Sequence, residues 1–100
     1  MNKRLGFIGI IIEERTEHAA QVNNLLTRYG DLIIARTGVP YSKRGCAVIT
    51  LVVDATTDQI GELTGKLGSI QDVSVKSMLS REKPLTGGKD AASENKNRGS

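Results

Sequence analysis

The most chemically suggestive motif of the chain is GELTGKLG, residues 61–68, because a glycine–lysine pair is part of the phosphate-binding loop GxxxxGK(S/T). Such a loop has four residues between its glycines, follows a strand, and carries a Ser or Thr after the lysine to hold magnesium. Here only three residues separate Gly61 from Gly65, and Leu67 replaces the hydroxyl. The motif also falls inside a predicted helix. We therefore predict no nucleotide site, and expect the glycines to let this helix approach the sheet or a neighbouring subunit closely.

Two side chains, His18 and Cys46, have the chemistry of metal ligands, and two ligands do not make a site without further partners. His18 falls near the start of the first predicted helix, where a surface histidine is expected. Cys46 begins a predicted strand, where we expect a small buried thiol. A single cysteine excludes an internal disulfide and favours a reducing cytoplasm. We predict no metal site and no cofactor.

No arrangement of residues typical of catalysis stands out. Glu13 and Glu14 are adjacent, which indicates a solvated turn more than an acid–base pair. An acylphosphatase-like enzyme would need a phosphate-cradling loop with a placed Arg and Asn, whereas Asn23 and Asn24 fall on the first helix. We expect no catalytic residue and no enzymatic activity, with a small enzyme of this fold as an alternative.

Composition argues against nucleic acid and membrane partners. The net charge is +3 and no block of five like charges occurs, so strong electrostatic capture of DNA or RNA is not indicated. Phe7, Tyr29 and Tyr41 are the only aromatic residues, which leaves few platforms for base stacking. Nucleic-acid binding by an open sheet face is therefore the weaker alternative. No segment has the roughly 20 apolar residues of a membrane-spanning helix.

Six predicted elements must position these residues, in the order strand, helix, strand, strand, helix, strand. The first helix is predicted to begin at a Thr16 cap and to end with Gly30 in a left-handed conformation. The second carries Ile60, Leu63 and Leu67 on one face. The strands are predicted over residues 5–12, 32–37, 46–53 and 73–78. This is the order of an α+β ferredoxin-like βαββαβ sandwich, in which two helices cover one face of a four-stranded antiparallel sheet.

The chain divides into a folded domain, residues 1–81, and a C-terminal segment, residues 82–100. The second segment has one large aliphatic residue, Leu85, among many Gly, Ser, Asn and Lys residues. Because it cannot bury enough apolar surface to offset its ordering entropy, we predict a disordered tail.

The two central strands are apolar on both faces, although two helices can cover only one face of the sheet. Side chains alternate along a strand, so each strand presents one set of aliphatic residues to the helices and another set away from them. An uncovered apolar patch of this size is unusual for a monomer. We therefore predict stacking of copies into a homodimer or tetramer, with a helix of another protein or a ligand as less favoured covers. The sequence leaves open which face is exposed, and the predicted interface residues are Ile8, Ile10, Ile12, Val48 and Val52.

The segments RTGVPY and AVITLVVDATTDQIGELTGKLGSIQDVSVK resemble a small bacterial family of iron-only hydrogenase system regulators. The resemblance covers about residues 4–79, and GKLGSIQDVSVK is its most specific part. The family is similar in fold to ACT domains and to the C-terminal domain of the nickel-responsive repressor. The resemblance implies a non-enzymatic, homo-oligomeric regulatory module, either a small-molecule sensor or an accessory of transcription regulation. The histidines and cysteine with which the repressor domain holds nickel are not matched here.

The resemblance also suggests where an effector would bind. Three connections of this topology meet at one end of the sheet, those at residues 12–16, 38–45 and 68–72. ACT-like domains bind amino acids and similar small effectors at the first of these loops, at a subunit interface. By this resemblance the candidate ligand-binding residues are Arg15, Arg36, Gly38 and Tyr41, although EERTEH departs from the glycine-rich or Asn/Asp-containing loop of many such domains.

Overall fold

The computed structural model describes residues 2–13 and 15–81, without the side chains of residues 15–17. The strands and helices within these ranges are β1 (Arg4–Glu13), α1 (Arg15–Arg28), β2 (Ile33–Tyr41), β3 (Cys46–Ala55), α2 (Thr57–Gly68) and β4 (Val73–Leu79). Short 3-10 turns at Gly30–Leu32 and Ser42–Arg44 precede β2 and β3. The predicted βαββαβ order is confirmed. The predicted tail, residues 82–100, lies outside the described residues.

The four strands form one antiparallel sheet in the order β2-β3-β1-β4, so β1 and β3 are central as predicted. Ile8 of β1 lies opposite Leu51 of β3, and Phe7 lies opposite Val52. Because side chains alternate along each strand, this register decides which side chains share a face.

Both helices pack on one face of the sheet, and the core lies between the helices and this face. In β1 this face carries Ile8, Ile10 and Ile12, which are at most 2% exposed. The helices bury their apolar stripes against these side chains, as their three- and four-residue spacing predicts. The buried helix residues are Val22, Leu26, Ile60, Leu63 and Leu67.

Helix α2 begins with a reciprocal cap. The backbone N–H of Gln59 donates to the Thr56 hydroxyl at 3.2 Å, and the backbone N–H of Thr56 donates to Gln59 Oε1 at 2.9 Å. Two N–H groups that a helix start leaves without partners are thereby satisfied. Several residues at 54–57 carry candidate capping oxygens, and the structure assigns the role to Thr56.

The end of α1 differs from the expectation. The helix ends at Arg28 and the chain continues through a 3-10 turn that starts at Gly30. Gly45 is the only glycine with a positive φ within the described residues, so the predicted left-handed Gly30 is wrong. The helix also begins at Arg15, which places Thr16 inside its first turn.

Strand β2 is longer than its sequence signals. The sequence predicts its end at Thr37, because the following VPYSKRG carries Pro40 and Gly45 and is typical of a turn, but the strand continues to Tyr41. Proline lacks an N–H donor, and an edge strand tolerates it because one side of the strand needs no partner. β2 is such an edge, with Pro40 opposite Ala47 of β3.

Candidate functional site: the open sheet face and the helix groove

The sheet face turned away from the helices carries a broad apolar surface, which we call the open face. It holds all the exposed large hydrophobic residues of the described chain except Ile34, which lies at an irregularity of β2. These side chains are between 37% and 58% exposed, and they are Leu5, Phe7, Ile11, Val39, Tyr41, Val48, Val52 and Met78. A large contiguous apolar surface rimmed by polar groups is typical of an interaction site.

Strand register arranges the open face in rows across the sheet. One apolar row runs through Val39, Val48 and Ile11, and another through Val52, Phe7 and Met78. The row between them is small and polar, and it consists of Thr37, Thr50, Gly9 and Lys76. The centre of the open face is thus a shallow polar strip between two apolar rows. The ammonium group of this strip belongs to Lys76, at the β4 edge of the sheet.

The predicted interface mixed two faces of the sheet. Val48 and Val52 lie on the open face, 37% and 41% exposed. The placement of Ile8, Ile10 and Ile12 with them is wrong, because these three side chains face the helices and form the core. The corresponding open-face residues of β1 include Phe7 and Ile11, which pair with Val52 and Val48. Both faces of β1 are apolar, so its sequence alone did not distinguish them.

Of the four predicted ligand-binding residues, the structure describes the faces of Arg36, Gly38 and Tyr41, and these three do not share one face of β2. The Arg36 guanidinium lies on the helix side of β2 and donates to Asn23 Oδ1 at 2.8 Å. Gly38 is on the same side of this exposed edge strand, whereas Tyr41 is paired with Cys46 and belongs to the open face. Arg15 is the first residue of α1, and its side chain lies outside the described residues.

Neither candidate metal ligand belongs to a cluster. His18 Nε2 lies 3.5 Å from an oxygen of Asp72, and its side chain is only 15% exposed, so the expected surface histidine is largely buried. Cys46 is a free thiol and half-buried. Among the described side chains, those of residues 2–13 and 18–81, no three His, Cys, Asp or Glu residues are placed to share a metal ion.

A concave site of a different kind lies between the two helices. This helix groove has a volume of about 320 Å³ and is lined by Gln21, Asn24, Leu25, Arg28, Lys66, Ser69 and Ile70. The α1 residues recur at three- and four-residue spacing, so they form one stripe beside the buried face. Leu25 and Ile70 are half-buried and give the groove an apolar floor.

A small polar cluster joins the helices beside the groove. The Tyr29 hydroxyl donates to Glu62 Oε2 at 2.9 Å, and Lys66 Nζ lies 3.5 Å from the same oxygen. Lys66 Nζ also lies 5.4 Å from the centre of the Tyr29 ring. Contact with Tyr29, and secondarily with Glu62, raises the pKa of Lys66 above its ordinary value. Lys66 is therefore a cation throughout the neutral range.

Sequence reasoning missed every residue of the helix groove. Gln21, Asn24 and Arg28 look like an ordinary solvated helix face, and their partners at the end of α2 follow some 40 positions later. One signal was available: Leu25 extends the apolar stripe of α1 to one side and ends half-exposed. An aliphatic residue at the margin of a helix stripe indicates either a neighbour or a groove.

The sequence of residues 4–77 matches the TM1266-like family, which carries the description "Iron-only hydrogenase system regulator, putative". The chain belongs to this family. No curated protein matches it. The TM1266-like assignment agrees with the resemblance of residues 4–79.

Two solved structures show how the TM1266-like chain relates to other folds. It is 38% identical to the uncharacterized protein TM1266 from Thermotoga maritima, with a TM-score of 0.77, covering 80% of this chain and all of that one. It is 25% identical to the ACT domain from GTP pyrophosphokinase of Chlorobium tepidum, with a TM-score of 0.62, covering 77% of this chain and all of that domain. The fold is therefore ACT-like. Each match covers the whole of the solved chain and 80% or 77% of this chain.

None of the described helices of this family member is both long and apolar enough to cross a membrane.

Proposed function

We propose that this protein is a non-enzymatic regulatory module that works as a homo-oligomer, joined through its open face, and responds to a small-molecule effector. The family description and the likeness to an ACT domain of GTP pyrophosphokinase support the regulatory role. The observation that carries self-association is the open face itself, where eight large apolar side chains are each more than a third exposed.

The open face suits a second copy better than water. Half of its eight large apolar side chains are β-branched, so ordering them in an interface costs little side-chain entropy; these are Ile11, Val39, Val48 and Val52. Stacked sheets pack about 10 Å apart, with interdigitating side chains from both inner faces. Because the same face is present on every copy, a two-fold arrangement covers both patches at once.

The polar strip favours one orientation of the two-fold axis. An axis parallel to the strands sets β1 of one copy over β3 of the other, so that Thr50 faces the bare backbone at Gly9. It also sets Lys76 opposite Thr37. An axis across the strands through the same strip would instead set Lys76 against its own copy, and like charges facing each other are unfavourable. We therefore propose the parallel orientation.

Light scattering at micromolar concentration tests the proposal. Wild type is expected to have the mass of a dimer or tetramer. Val52→Lys, which adds a charge at the centre of the patch, is expected to be a monomer with an unchanged circular dichroism spectrum. The matched control, Ala20→Lys, adds the same charge at an exposed position of α1 and is expected to keep the wild-type mass. A monomeric wild type would refute self-association.

Disulfide trapping tests the orientation of the axis. In a Cys46→Ser background, Thr37→Cys combined with Lys76→Cys is expected to give an intermolecular disulfide, and Lys76→Cys alone is not. Cross-linking by the single variant would show the axis to run across the strands.

A further inference from the structure

The helix groove lies on the opposite side of the molecule from the open face, and the predicted effector residues do not line it. We propose that this groove binds a small organic anion, a carboxylate or a phosphate ester with a short apolar part. Its charged group lies between Arg28 and Lys66, and its apolar part lies on Leu25 and Ile70. The role of such a ligand as an effector rests on the proposed regulatory function, whereas its binding does not require self-association.

Charge is the first argument for an anion. Two of the seven lining residues are cations, and none of these described residues is acidic. Among the described residues, no hydrogen bond or ion pair neutralises Arg28, while Lys66 shares the Glu62 carboxylate with the Tyr29 hydroxyl. Glu62 therefore offsets the charge of Lys66, and the excess positive charge at the groove is that of Arg28. The side-chain amides of the groove, those of Gln21 and Asn24, add N–H donors for an anionic oxygen.

The helix dipoles bear on the proposed anion site, because Arg28 and Lys66 both lie in the last turns of their helices. A helix C-terminus is partly negative through its unpaired carbonyl groups. At the end of α2 these carbonyls are engaged. Ser69 N donates to the carbonyls of residues 65 and 66, Ser69 Oγ donates to that of residue 66 at 2.8 Å, and Ile70 N donates to that of residue 67 at 3.2 Å. The local negative charge is therefore reduced where the anion would lie.

Size and polarity define the class of ligand. Ligand pockets usually measure about 300–1,000 Å³, so a groove of 320 Å³ fits a molecule no larger than an amino-acid-derived acid or a sugar phosphate. The half-buried aliphatic floor favours a ligand with at least a few carbon atoms over a bare inorganic ion. Because the cations are exposed to solvent and salt, we expect dissociation constants in the millimolar range.

The groove also joins the two helices. Its walls come from the C-terminal half of α1 and from the end of α2, just before β4 begins at Val73. Apart from the cluster of Tyr29, Glu62 and Lys66, the described residues place no side-chain hydrogen bond or ion pair between the two helices within the groove. A ligand that contacts both walls stabilises one spacing of the helices, which is the physical requirement for an effector.

The test follows backbone amide shifts by nuclear magnetic resonance during titration with three probes: isovalerate, inorganic phosphate and isovaleramide. Isovalerate has the charge and the apolar part, phosphate has only charge, and isovaleramide is neutral. We expect isovalerate to shift the amides of Asn24, Arg28 and Ser69 with saturation, phosphate to do so more weakly, and isovaleramide to have no effect at 10-fold higher concentration. Stronger binding of phosphate than of isovalerate would assign the site to phosphate esters.

Charge-removing variants identify the groove. Arg28→Gln and Lys66→Gln are each expected to raise the isovalerate dissociation constant about two- to five-fold, and Lys43→Gln, which removes an equal charge from the 3-10 turn before β3, is expected to leave it unchanged. An absence of shifts, shifts confined to other residues, or equal binding by all variants would overturn the site. Measuring Val52→Lys in parallel separates the two proposals, because a monomer that still binds isovalerate refutes neither the groove nor its ligand class.

Discussion

Replacing Gly61 and Gly65 by alanine should stabilise this protein. Both glycines lie inside α2, on its exposed side. A Cβ atom built on either one meets no atom within 4 Å, apart from the neighbouring helix backbone. Neither glycine has a positive φ, so alanine can adopt the same backbone conformation. The expected close approach of this helix to the sheet is therefore wrong at both positions.

The magnitude follows from the helix propensity of glycine. A glycine in a helix interior is about 1 kcal/mol less favourable than alanine, chiefly because it loses more backbone freedom on folding. With no steric penalty to subtract, the double variant should gain about 1–2 kcal/mol in the free energy of unfolding. For a domain of roughly 80 residues this corresponds to a rise in Tm of roughly 5–15 °C. Thermal unfolding followed by circular dichroism measures it.

Gly6→Ala is the matched control, because it is the same substitution at a crowded position. A Cβ on Gly6 would overlap the carbonyl oxygen of Met78 and would lie 2.6 Å from Leu79 Cδ2. We expect a loss of about 1–3 kcal/mol from overpacking. If the double alanine variant were destabilised as Gly6→Ala is, the argument from empty space would be refuted. A stable double variant with a lower oligomer mass would show instead that the glycines contact a neighbouring subunit.

Further substitutions test the assignment of faces and the helix cap. Leu51→Ala should cost about 2–5 kcal/mol, because its side chain is fully buried. Val52→Ala, one position along β3, should cost less than 1 kcal/mol in a monomeric background, and similar losses at both positions would contradict the two-faced sheet. Thr56→Ala should cost about 0.5–2 kcal/mol by removing the hydroxyl that caps α2, measured by urea unfolding. Thr56→Ser keeps this hydroxyl and should recover most of the loss, so an equal loss in both variants would exclude the cap as its cause.

The fold was predictable because its signals are local and repeated. In α2 the spacing of Ile60, Leu63 and Leu67 predicts one buried face, and all three are at most 3% exposed. The order of elements then leaves few topologies, since crossover connections have a fixed hand. The end of β2 was not predictable in this way, because Gly38 and Pro40 disfavour central strands but are allowed on an edge, and edge position is a property of the whole sheet.

The functional surfaces were predictable only in part. The sequence predicts an uncovered apolar face, because β1 and β3 are apolar on both sides and the two helices cover only one face of the sheet. The identity of the uncovered face depends on tertiary packing, and Ile8 and Ile11 are chemically equivalent in the sequence. The helix groove depends on the distance between α1 and α2, and no local sequence pattern gives this distance. Candidate residues transferred by resemblance, such as Arg36 and Tyr41, fall on opposite sides of the sheet once the register is known.

The proposed stacking through the open face would account for the apolar residues on both sides of β1. A four-stranded sheet with helices on one face needs only one apolar side per strand to build its core. Ile8, Ile10 and Ile12 fill that core with at most 2% exposure, whereas Phe7 and Ile11 lie outside it and are 46% and 41% exposed. The remaining burial of these two side chains is gained only when the open face is covered. A molecule that stacks through this side leaves its helices outward, and the groove between them is then the surface on which a small anion can still be bound.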